Sequence, residues 1–131
     1  MAKVALTPYV GGLAYRWMES VTAARTLTVK DSGTIFHTTG ATAAVTITLP
    51  QISDGPFYFL ILSGADVDLT VAAATADTAV TYNDLNADSV AFSTSSEKIG
   101  GAVEVFCDGA TLFVLPRAAD GRYQTATIAT A

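Results

Sequence analysis

The 131-residue chain has one cysteine, Cys107, and one histidine, His37. A lone thiol excludes an internal disulfide. A lone imidazole leaves no His/Cys set with zinc-site spacing. Any Ser-His-Asp or Cys-His arrangement would have to recruit His37, and no nucleophile sits in an elbow such as G-x-S-x-G. Charge is also scarce: 15% of residues are charged, against roughly 25% in an average domain. Long apolar runs are missing too. The longest, Phe57 to Leu62, is far short of the roughly 20 residues that span a bilayer. Residues 1–20 have no continuous apolar core of the secretory type. No phosphate-cradling glycine loop, dinucleotide fingerprint or metalloprotease helix occurs. These absences lead us to expect a soluble chain that is not an enzyme, takes no cofactor and has no membrane partner.

What the chain has in abundance is threonine and alanine, 19 and 23 residues. Threonine favours strands, and the alanines stand in short runs without helical periodicity. A soluble chain with this little charge is expected to hide surface in an oligomer or assembly. The net charge of −5 is unevenly placed. Residues 1–30 carry Lys3, Arg16, Arg25 and Lys30 against Glu19 alone, a net +3, and the remainder is net −8. An acidic total argues against a nucleic-acid partner. A basic leading segment on an acidic body suits docking on an acidic protein surface.

The clearest local signal is Lys98 to Pro116. Val103, Val105 and Cys107 alternate with Glu104 and Phe106, the period-2 pattern of a strand. Asp108-Gly109 supplies a tight turn, Ala110 to Leu115 returns with Leu112 and Val114 on one face, and Pro116 ends the strand. Upstream, Leu27/Val29, Thr34 to Thr38, Ala44 to Leu49 and Val67 to Val71 also read as strands. Phe57 to Leu62 is apolar at every position, which predicts a strand covered on both faces. Turn signals recur every 8–15 residues. The expectation is an all-β domain, a small antiparallel β-sandwich or barrel built from hairpins, over residues 26–116. Residues 1–25 form an extended N-terminal arm and 117–131 a C-terminal tail. Phe57, Phe59, Ile61, Val103, Val105, Leu112 and Val114 are the expected core.

Leu13, Trp17 and Val21 lie at i, i+4 and i+8, which predicts a short helix within the arm. The arm also holds Tyr9 and Tyr15, and Tyr and Trp are favoured interface residues. Tyr9, Tyr15, Arg16 and Trp17 are therefore the candidate docking residues, with the alternative that Trp17 plugs one end of the core. His37 and Cys107 read as structural. Asp84-x-Asn86-x-Asp88 in the loop Asn83 to Asp88 matches the first half of a calcium loop. It lacks the glycine at the sixth position and the glutamate at the twelfth, so no metal is expected.

The order VTITLP, DGPFYFLIL, DVDLTVAAA and SEKIGGAVEVFCDGATLFVLP resembles the repeated-hairpin domains of tailed-bacteriophage virion proteins, in particular capsid decoration (cement) proteins and fibre modules. The likeness covers about residues 26–116, with Asp108-Gly109 and Thr111 to Val114 in place of the family's closing hairpin. It implies a β-tulip-like, non-enzymatic and commonly trimeric virion component that clamps the major capsid protein lattice. Its place would be the capsid surface, after synthesis in the host cytoplasm. The alternative within the same resemblance is a host-recognition or carbohydrate-binding module at a fibre tip, using Tyr58, Tyr82 and Phe92.

Overall fold

The structure, a computed structural model, describes residues 4–5, 17–82, 84–93, 98–117 and 127–129. It is all-β. The strands are β1 (Val4–Ala5), β2 (Trp17–Ser20), β3 (Arg25–Thr26), β4 (Thr34–His37), β5 (Val45–Thr48), β6 (Phe57–Leu62), β7 (Leu69–Ala72), β8 (Ala79–Thr81), β9 (Asp84–Ala87), β10 (Ser89–Phe92), β11 (Ala102–Cys107), β12 (Leu112–Arg117) and β13 (Thr127–Ala129). They form an eight-stranded sheet in the order β1-β2-β4-β6-β11-β12-β8-β9 and a five-stranded sheet in the order β13-β10-β7-β5-β3. The two sheets share one core. Phe36, Phe59, Ile61, Val105 and Val114 from the larger meet Val45, Ile47, Leu69, Val71, Val90 and Phe92 from the smaller. A two-sheet sandwich is thus the architecture, and all seven expected core residues are buried.

The connectivity differs from a stack of hairpins. From β2 to β7 the chain changes sheet at every turn, so that β2, β4 and β6 lie parallel in one sheet and β3, β5 and β7 lie parallel in the other. The result is a short coil of three turns. Its outer edges are blunted by very short strands, β1 and β3, of two residues each, a common way to discourage edge pairing. The coil's far end is continued by antiparallel neighbours, β11 on β6 and β10 on β7. The sheets are therefore mixed, where antiparallel pairing was expected.

Three local expectations are corrected. The helix over Leu13 to Val21 is replaced, from Trp17 on, by strand β2, which pairs with β4 from Trp17↔Thr34 to Ser20↔His37. Sheet pairing thus reaches into residues assigned to the arm. A buried glutamate, Glu19, decides this: its carboxylate is held by Arg25, whose guanidinium also lies 3.5 Å from Asp31 and 5.0 Å over the Phe36 ring. The Leu27/Val29 strand is cut short, because Val29–Asp31 is a single 3-10 turn. In the closing hairpin Cys107 pairs with Leu112, so the loop is four residues, 108–111, where two were expected. Asp108 Oδ1 accepts hydrogen bonds from the backbone N–H of Ala110 (2.8 Å) and Thr111 (2.7 Å), and this Asx turn sets the longer loop. Pro116 lies inside β12, opposite Val103. It is tolerated there because β8 meets β12 only at Phe113↔Val80, so no ladder partner asks for its missing N–H. Its carbonyl accepts from the Tyr82 hydroxyl at 3.1 Å.

Candidate functional site

The larger sheet has a second face, turned away from the core, and its chemistry follows from the alternation of four central strands. Inward go Phe57, Phe59 and Ile61 of β6, and Val103, Val105 and Cys107 of β11. The residues between them must point outward. Registered pairing then sets them in rows: Tyr58, Phe106, Phe113 and Val80 across one end, and Met18, Ile35, Leu60, Glu104 and Leu115 across the middle. The third row is Ser20, His37, Leu62, Ala102 and Arg117. Tyr58, Leu60 and Leu62 are half-buried, whereas Phe106 and Phe113 are exposed at 38% and 40%. The strand read as covered on both faces is thus fully covered on one.

Beside the aromatic row lies a cleft of about 480 Å³ lined by Ser32, Pro56, Tyr58, Phe106, Asp108 and Phe113, among others. The Tyr58 and Phe106 rings are 5.2 Å apart. Two polar side chains at this cleft, Ser32 and Asp108, already have backbone partners. Ser32 Oγ accepts from the Tyr58 N–H at 3.0 Å, and Asp108 closes the hairpin loop. Those backbone donors also hold the Asp108 carboxyl below its ordinary range, since they favour the ionised form. Burial pushes the Cys107 thiol up, so Cys107 is a poor nucleophile at neutral pH. Across the face the only ion pair among described residues is Glu104 with Arg117. At the loop before β11, Lys98 Nζ lies 2.8 Å from Asp68 Oδ1, and that hydrogen bond raises the ammonium's pKa.

The expected docking residues divide. Tyr9, Tyr15 and Arg16 lie outside the described residues. Trp17 opens β2 and is 42% exposed, so it does not plug the core. The glycan-type set is not brought together: Tyr58 is on the outer face, Tyr82 is exposed beside β12, and Phe92 is fully buried in the core of the other sheet. Asp84 and Asn86, placed in a polar loop on sequence grounds, belong to strand β9, with Asp84 Oδ1 accepting from the Asn86 N–H at 2.8 Å. Among the described residues no group of three or more His, Cys, Asp or Glu side chains could hold a metal ion, and no helix is long and apolar enough to cross a membrane. Phe106 and Phe113 were not singled out from sequence. Their signal was available, since both fall on the hairpin face opposite Val103, Val105, Leu112 and Val114. No protein-family model, curated protein or solved structure matches the chain.

Proposed function

We propose that this chain is a structural virion protein that decorates a tailed-bacteriophage capsid, binding the major capsid protein lattice as a homo-oligomer, a trimer in the form the resemblance implies. The observation that carries the reading is Trp17. The only tryptophan stands 42% exposed at the head of β2, the strand next to the edge of the larger sheet. It directly follows the segment that holds Tyr9, Tyr15 and Arg16. Large amphipathic aromatics and arginine, which lie close together in this part of the sequence, are the side chains that dominate protein interfaces. The low charge of the chain and its basic leading segment on an acidic body support the same reading. On a lattice the contact is repeated at many identical sites, so oligomeric decoration turns modest single-site affinity into tight binding.

The test is co-sedimentation with purified, expanded empty capsids. The intact chain is expected to pellet with the shells. A truncation of residues 1–16, which spares β2, is expected to stay in the supernatant, and Trp17→Ala to bind at least tenfold more weakly, in line with loss of an interface anchor of about 2 kcal/mol. An intact chain that ignores shells, or a truncation that pellets equally well, refutes the reading. The alternative, a host-recognition module of a fibre, draws support from the exposed aromatic row and its cleft. Retention on host-surface polysaccharide, lost on Phe106→Ala, would put it first.

A further inference from the structure

The geometry points to the outward face of the larger sheet as a self-association surface, covered by neighbouring copies of this same chain. The inference rests on the oligomeric part of the decoration reading and is independent of its capsid part.

Three observations select this occupant. The first is apolarity. Ile35, Tyr58, Leu60, Leu62, Phe106, Phe113 and Leu115 make one contiguous patch across β4, β6, β11 and β12. Exposed apolar patches beyond a few hundred Å² mark interaction sites in soluble chains. The second is size. The four strands that carry the patch, about 4.8 Å apart and up to six residues long at about 3.3 Å each, make a face of roughly 19 by 20 Å, or roughly 380 Å². A standard stable interface takes about 800 Å² from each partner, so the patch has the size of the apolar centre of such an interface, with its polar rim on the strands beside it.

The third is charge, and it separates a second copy from a foreign partner. The chain as a whole carries −5, so two copies repel over most orientations. On β4, β6, β11 and β12 the outward positions bear one acid, Glu104, one base, Arg117, and one histidine, His37, and Glu104 and Arg117 pair with each other within the chain. The face is therefore neutral, and two identical copies can bring it together without opposing like charges. A foreign acidic or basic partner would gain nothing from this neutrality, whereas self-pairing of an acidic chain requires it. Around a two-fold the face meets its own copy, and around a three-fold three such faces turn toward one axis. Either arrangement buries the aromatic row.

The test is sedimentation equilibrium of the intact chain between 1 and 100 µM, alongside Phe106→Lys and Phe113→Ser, with far-UV circular dichroism to confirm folding. The intact chain is expected to be a dimer or trimer. Each variant is expected to weaken its assembly about 100-fold, toward monomer, with the spectrum unchanged. Two variants on different strands keep the test alive should one misfold. An intact chain that stays monomeric at 100 µM overturns the inference, as does an oligomer that neither folded variant weakens. Shell binding by a monomer would overturn it while leaving decoration standing. A face-dependent oligomer that ignores shells would do the reverse.

Discussion

Replacing Arg25 by alanine should be among the most damaging single changes outside the aliphatic core. Glu19 is 8% exposed and points inward on β2, and its carboxylate is held by the Arg25 guanidinium. Removing the partner leaves a buried charge uncompensated, which typically costs about 3–5 kcal/mol. The Arg25 side chain is 29% accessible, so solvent already screens part of the pair and the lower end applies. Loss of the guanidinium from above Phe36 adds on the order of 0.5–1 kcal/mol. We expect a destabilisation of about 3.5–4 kcal/mol in urea denaturation, read from the shift in midpoint at unchanged slope. The decisive comparison is a double-mutant cycle with Glu19→Gln. If the pair is what holds β2 against β4, Glu19→Gln/Arg25→Ala should be more stable than Arg25→Ala alone, because no buried charge remains. A loss below about 1 kcal/mol for Arg25→Ala, or a double variant no better than the single, would refute the argument.

Three other outcomes follow from single side chains. Thr81 is buried and its hydroxyl has no hydrogen-bond partner among the described residues, so Thr81→Val should stabilise by about 1 kcal/mol; a lower urea midpoint would contradict this. Ala76 sits at φ +72°, where a Cβ is strained, so Ala76→Gly should stabilise by about 0.5–1 kcal/mol after the entropic cost of glycine, read as a higher urea midpoint. Cys107 should react slowly with iodoacetamide at pH 8 in the native state and much faster in 6 M urea, since burial raises its pKa. Its folded pKa lies above its unfolded one, so its contribution to stability is complete below the unfolded value and is lost as pH rises through the folded value. Equal native and denatured labelling rates would count against it.

How much of this was legible in the sequence depended on what kind of information each feature needs. Phe57–Leu62 was read to the residue, because six apolar residues between turn clusters leave few alternatives. The core followed from alternation alone. The helix over Leu13 to Val21 failed because its apolar spacing is satisfied by chance. Trp17 ends exposed, and the residue that commits the segment to the sheet is Glu19, made tolerable by an arginine six positions on. The coil was illegible for a different reason. A turn after Thr38 or Pro50 carries the same glycine, serine and aspartate signals whether the next strand pairs beside the last or crosses to the opposite sheet. Phe92, which the fibre-module alternative needs exposed, is wholly buried, since its face depends on which sheet β10 joins.

The candidate surface was half legible, and the missing half bears on function. Sequence alone calls for both faces of Phe57–Leu62 to be covered. The coil supplies one cover, because β5 and β7 cross to the smaller sheet and bring Ile47 and Val71 over Phe59 and Phe36 in the shared core. It leaves Tyr58, Leu60 and Leu62 half-buried on the other side. Strands β11 and β12 widen that side with Phe106, Phe113 and Leu115 instead of closing it with the polar residues an isolated sandwich places there. The half-buried and exposed apolar residues on this second face are what the proposed self-association would cover. Scarce charge, an internally neutralised Glu104–Arg117 pair and an outward aromatic row are then one property seen at three levels. Each lowers the cost of removing this face from water, which is what the proposed self-association requires.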